Sequence, residues 1–176
     1  MKALKRIIIG TILVFSIGVV VFLGLSLYAY NNLKYYSVYY AQQMPHKEGT
    51  EPDLVMLIEN MWWIYTPEIE GIRYDDDGRN FIENSTNLTG KPTNFDEFAG
   101  GYGYSDQNDV TYKFNKNFSL EWAIDKDYKK IDLATVDEKK IKEEIRETVQ
   151  PILDVQSKPL INLQWLFNLL YQDRFN

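Results

Sequence analysis

An uncharged run from Ile7 to Ala29 constrains this chain more than any other feature. Of its 23 residues, 17 are apolar and the rest are Gly, Ser or Thr. As a helix the run covers about 34 Å, against a hydrocarbon core of roughly 30 Å. Cleaved signal peptides have a shorter apolar region and a small-residue cleavage site. Leu27 and Ala29 make a poor version of that site, so an uncleaved anchor is expected. Acylation is excluded as a means of attachment, because the chain has no Cys.

Lys2, Lys5 and Arg6 precede the run, with no acid among them. Positive flanks stay cytoplasmic, which predicts residues 1–6 inside and the C-terminal bulk outside. Without those three cations, 16 basic and 25 acidic residues remain, a formal charge of −9. An acidic domain of this kind fits neither nucleic acid nor an anionic lipid surface. The expected localisation is therefore the cell membrane, single-pass, with an extracytoplasmic domain.

Tyrosines crowd the far side of the run. Tyr28 and Tyr30 suit a membrane–water boundary. Tyr35, Tyr36, Tyr39 and Tyr40 fall on one helical face. The helix is expected to continue as a juxtamembrane stalk over 30–43 and to stop before Pro45. The stripe packs either on the protein's own domain, the preferred reading, or on another membrane protein.

Residues 44–176 are enough for one core. Thr50 reads as a helix cap with Pro52 in the first turn, and a stripe runs from Leu54 through Met61 to Tyr65. Two hairpins follow. One joins Ile69–Tyr74 to Asn80–Glu83 through the turn Asp75-Asp76-Asp77-Gly78-Arg79. The other joins Val110–Phe114 to Phe118–Trp122, with Val110, Tyr112, Phe114, Phe118, Leu120 and Trp122 sharing a face. Between them, 84–109 is too long for a structureless loop, so it is functional or hides an element. Phe95 and Phe98 are its expected packing pins. Thr135 and Glu138 read as a capping box for a helix carrying Ile141, Ile145 and Val149, closed by Pro151. A last helix is expected from Pro159 to about Tyr171. Nine of the twelve residues from Leu160 are apolar, so it reads as a core helix rather than a docking surface. The fold class is α+β: an N-terminal transmembrane helix with its stalk, then a small antiparallel sheet packed by C-terminal helices.

Motifs for chemistry are sparse. Placing Gly78 at position 6 of a calcium loop puts Arg73 at position 1 and Asn84 at position 12, where carboxylates are required. No metal and no cofactor is expected. Three sequons, at Asn84, Asn87 and Asn117, carry no weight in a Cys-free, Lys/Asn/Ile/Tyr-rich chain of bacterial character. His46 sits in a linker beside Pro45, with no partner placed for a triad. Carboxylate pairs such as Asp96/Glu97, Glu121/Asp125 and Asp125/Asp127 are the material available to a glycan-acting enzyme. The Gly100–Tyr104 run reads as a flexible loop with exposed aromatic faces, or as a turn with two packed rings. Candidate binding residues are Tyr102, Tyr104, Tyr35, Tyr39, Trp62 and Trp63. The expected function is binding, with the bilayer engaged through residues 7–29 and another membrane or envelope protein as partner. The alternative is an anchored envelope enzyme acting on glycan through carboxylates.

Overall fold

The computed structural model describes residues 2–75, 80–86, 91–98 and 100–176, with only the helical backbone for 2–7. The central acidic turn residues 76–79 and the sequon at Asn87 lie outside the described residues. α1 runs unbroken from Lys2 to Tyr35. Within it, Ile8–Tyr35 is long and apolar enough to cross a membrane, and the described side chains up to Leu27 are exposed. A break at Tyr36 leads into α2, Ser37–Gln43. α2 lies against the domain, with Val38, Tyr40 and Ala41 buried. α1 reaches the core too, through buried Asn32 and Leu33. The segment that follows the apolar run is thus helical and folded onto its own domain.

α3, Pro52–Glu59, is the central core helix. Every residue from Pro52 to Ile58 is buried, which a helix apolar nearly all round requires. Pro52 takes the first turn, where its missing N–H is no loss. Thr50 does not cap it: its hydroxyl donates to the Lys47 carbonyl at 2.8 Å, and Glu51 holds the cap position at φ 45°. The helix ends at Glu59, so Met61 and Tyr65 of the expected stripe lie beyond it, and Trp62 and Trp63 lie in turns.

Six strands form one antiparallel meander in chain order: β1 Ile72–Asp75, β2 Phe81–Asn84, β3 Thr93–Phe98, β4 Gly101–Ser105, β5 Thr111–Asn115 and β6 Leu120–Ile124. The expected hairpins are β1–β2 and β5–β6. The stretch 84–109 contributes two central strands, β3 and β4. One face carries Ile72, Ile82, Phe95, Tyr102, Tyr104 and Phe114 into the core. Phe114 stacks on Phe118 at 4.9 Å, and Phe95 meets Phe118 edge-on.

The β5–β6 register departs from simple alternation. Phe114 faces Leu120, while Lys113 faces Trp122 rather than Glu121. The bulge turns Trp122 to the opposite face from Leu120, overturning the expectation that they share one.

α4, Glu138–Leu153, is capped by Asp137, whose carboxylate accepts the Lys140 N–H at 3.1 Å. The expected capping box is not formed, because Thr135 sits in a preceding 3-10 turn and donates to Asp132. Ile141, Ile145 and Val149 are buried as their spacing requires. Glu138 and Lys142 pair at 2.6 Å. Pro151 lies inside the helix, which continues to Leu153. Arg146 ties α4 to the start of α3 by a two-pronged contact with Asp53, 2.7 and 2.9 Å, and a third bond to Glu51. α5 spans only Gln164–Tyr171 and buries Phe167 alone. Its ring stacks on Tyr40 at 5.3 Å. The C-terminal apolar segment is therefore not the core helix; α3 has that place.

Candidate functional site

Strand β4 sets the geometry. Its sequence Gly101-Tyr102-Gly103-Tyr104 alternates strictly, so both tyrosines point one way and both glycines the other. The tyrosines point inward and are buried, so neither forms an exposed aromatic loop. Tyr102 donates to Glu59 Oε1 at 2.7 Å and accepts from Arg174 at 2.6 Å. Arg174 also grips both Glu59 oxygens, at 2.8 and 2.7 Å. Burial raises the Tyr102 hydroxyl far above its usual range, and the adjacent Glu59 charge adds to this. Burial would raise Glu59 as well, but hydrogen bonds from Arg174 and Tyr102 outweigh it and hold the carboxyl low. The trio fastens α3, the sheet and the chain end together.

Tyr104 opens onto a polar cavity of about 370 Å3 between the sheet and α4. Burial raises its hydroxyl, opposed by a hydrogen bond with Thr148. The cavity's buried groups mostly engage one another. Asn84 Nδ2 donates to the Thr148 carbonyl at 2.9 Å, and the Thr93 and Thr148 hydroxyls lie 3.0 Å apart. Asp106 accepts the N–H groups of Asn108 and Val110, both at 2.9 Å. Tyr112 donates to Asp106 at 3.4 Å; burial and that acid push its hydroxyl up to about 12. This is the internal bracing of a sheet–helix junction.

The opposite side of β4 is the unusual surface. Cross-strand pairing lays Phe81, Asp96, Gly103, Lys113 and Trp122 in one row across β2 to β6. Phe98 and Gly101 form part of the next row. The two glycines leave a shallow trough into which neighbouring side chains fold. The Asp96 carboxylate lies against Gly103. The Lys113 ammonium lies over Gly101, where it donates to the Phe114 carbonyl at 3.0 Å and sits 5.2 Å above the Phe98 ring. Lys113 is only 4% exposed. Burial lowers its ammonium, while Glu121 and Asp96 act the other way. Phe98, 41% exposed, meets Trp122 edge to face at 6.4 Å and closes the trough. Phe98 is therefore no packing pin of the core, whereas Phe95 is. Phe98, Trp122, Lys113 and Asp96 form the surface that sequence reasoning missed. The alternation of glycine with tyrosine was the available signal, with glycine marking a close approach on one face.

The remaining candidates lie near the end of α1. Tyr35 is exposed and meets Tyr36 edge-on, while Tyr39 packs beside Tyr40. Trp62 is exposed, and Trp63 meets Tyr30 edge-on at 5.6 Å. These residues do not join Tyr102 and Tyr104 in one site.

The carboxylate pairs are separated or engaged as well. Asp96 and Glu97 are consecutive strand residues and point to opposite faces. Asp125 holds a turn by accepting the N–H groups of Asp127 and Lys129, both at 2.9 Å. His46 Nδ1 lies 2.9 Å from the Met44 carbonyl, within its own linker. The described residues hold no group of three or more His, Asp or Glu placed for a metal ion. No protein-family model, curated protein or solved structure matches the chain.

Proposed function

We propose that this chain is a membrane-anchored, extracytoplasmic binding protein of a bacterial envelope. Its role is that of an accessory subunit of an envelope or secretion assembly, or of an immunity or exclusion factor. One observation carries the reading: the Phe98–Trp122–Lys113–Asp96 surface laid over Gly101 and Gly103. A sheet face with aromatic anchors and few exposed charges at its centre suits a protein partner. Trp122 and Phe98 are the anchors. Lys113, folded in beneath Phe98, supplies one charge that a partner can reach only by displacing that ring. The apolar span of α1 supports membrane attachment, and the Lys2, Lys5 and Arg6 cluster supports a cytoplasmic N-terminus.

The test is affinity capture of the full-length protein from membranes, comparing wild type with Phe98→Ala plus Trp122→Ala. Loss of two central anchors is expected to weaken binding by about 2 kcal/mol or more, roughly thirtyfold, and the co-purifying partner is lost. The melting temperature must stay near that of wild type. Undiminished capture refutes this surface. An envelope activity abolished by a single Asp or Glu substitution, with capture and stability intact, would install the carboxylate enzyme instead.

A further inference from the structure

Two segments leave large apolar side chains uncovered. One is the turn after α3, where Trp62 is 73% exposed and Tyr65 is exposed beside it. The other is the C-terminal segment, where Leu160 is 99%, Trp165 67% and Leu169 71% exposed. No charged residue occurs from Pro159 to Gln172. Monomeric soluble domains rarely leave so much contiguous apolar surface facing water.

Both segments converge on one short stretch of α1. Trp63 packs edge-on against Tyr30 at 5.6 Å. Asn32 Nδ2 donates to the Ile161 carbonyl at 3.3 Å, which the Tyr40 hydroxyl also reaches at 3.3 Å. Tyr40 in turn accepts the Leu163 N–H at 3.0 Å. Lys34 reaches Asn60 at 2.8 Å. The segment entering α5 therefore lies at the level of Asn32.

That level has a height. Tyr30 and Asn32 stand one and three residues beyond Ala29, about 2 and 5 Å along the helix. The headgroup layer extends roughly 5–8 Å beyond the hydrocarbon on each side. We infer that Trp62, Trp63, Leu160, Trp165 and Leu169 form a collar that docks into the interfacial layer of the bilayer its own anchor crosses. The occupant is lipid, on the ground of continuity: both segments adjoin the end of the apolar span, through Tyr30 and Asn32. Trp side chains favour this layer. The uncharged lower segment and the acidic domain make the docking apolar and insensitive to salt, unlike attraction to anionic lipid. The inference rests on α1 spanning the membrane, so the experiment reads the anchor separately.

The absence of native Cys allows single-site labelling. Four variants of the full-length protein, Leu160→Cys, Trp165→Cys, Phe98→Cys and Val20→Cys, are labelled with an environment-sensitive fluorophore. Each is reconstituted in phosphatidylcholine vesicles holding lipids spin-labelled at the headgroup, at a shallow acyl position or at a deep one. The expected result is quenching of Leu160 and Trp165 probes by headgroup and shallow labels, of Val20 by the deep label, and of Phe98 by none. The pattern should persist in high salt. Val20 quenched from the membrane while the collar probes answer only to an aqueous quencher would overturn the docking and leave the anchor standing. Collar probes shielded from both quenchers would assign the surface to a second copy of the chain and overturn the inference. A Val20 probe untouched by any lipid label would overturn the anchor, and the docking with it.

Discussion

Replacing Tyr102 in two ways separates a core residue from a contact residue. Tyr102→Phe keeps the ring and removes the hydroxyl, which donates to Glu59 and accepts from Arg174. The acid and the guanidinium keep their two bonds to each other, so no charge is left alone. The cost is then that of the hydroxyl's two charge-assisted hydrogen bonds, about 2–4 kcal/mol in all. Tyr102→Ala removes the ring as well, leaving a hole beside Phe95 and Phe118. Emptying an aromatic site in a packed core costs about 3–5 kcal/mol. That is a large share of the roughly 5–15 kcal/mol that domains of this kind possess.

Thermal melting of the full-length protein in detergent, followed by near-ultraviolet circular dichroism, reads both changes without interference from the helicity of α1. For a domain of this size, about 3–5 °C is lost per kcal/mol. Tyr102→Phe should lower the midpoint by about 6–20 °C, and Tyr102→Ala, which also empties the ring's site, should leave little cooperative transition. The reasoning is refuted if Tyr102→Ala melts with wild type while partner capture fails. The ring would then be an exposed contact, as an aromatic loop requires.

Acid should weaken the same network. Glu59 is held below its ordinary value of 4.5, so its contribution is complete above that value and is lost as pH falls through the lowered one. Glu59→Gln should be less stable than wild type at neutral pH, and its stability should decline less steeply than wild type in urea titrations below about pH 4.5. The two outward glycines should rank differently toward alanine. A Cβ at Gly101 runs into the Phe114 backbone carbonyl, which cannot move without parting β4 from β5. The nearest atoms to a Cβ at Gly103 belong to the Asp96 carboxylate, the far end of a side chain that can swing away. Gly101→Ala should cost about 3 kcal/mol or more, and Gly103→Ala should be near neutral, since Ala also orders the strand better than Gly by about 0.5–1 kcal/mol. Chemical denaturation of the two variants checks the order.

The elements legible in the sequence are those whose pattern is local. The Ile141–Ile145–Val149 spacing declares its buried face, and alternation around Tyr112 and Phe114 declares a strand. β3 and β4 stay hidden because acids, asparagine and glycine occupy their outward positions, so composition suggests a loop where period two is intact. The bulge opposite Lys113 has no such signature. It depends on how β6 pairs, and one extra residue moves Trp122 from core to surface. Arg174 and Glu59 are separated by 115 residues, beyond any spacing argument. The last apolar segment is misread for another reason. Uniform apolarity states that water is unwelcome, and it does not say whether protein or lipid replaces it.

With α1 as the proposed anchor, its join to the domain determines what the sheet face can reach. A flexible linker would let the domain sample a wide volume and meet partners far from the membrane. Here only Tyr36 separates α1 from α2, and Asn32 and Leu33 are already in the core before that break. The hydrogen bonds from Asn32 and Tyr40 to the Ile161 carbonyl close the join from the other side. The domain therefore takes its tilt from α1, and the collar adds a second constraint around the same axis. The Phe98–Trp122 surface is then presented at one height and within a narrow range of angles. Such pre-orientation lowers the entropy lost on meeting a partner held in the same membrane, and offers nothing to one arriving freely from solution. Inserting a flexible Gly-Ser segment at Tyr36 separates these cases. It should weaken capture of a membrane-embedded partner while leaving affinity for the same partner's soluble fragment unchanged. Equal loss in both formats would mean that α1 and α2 help to form the binding surface, and that the join does more than orient it.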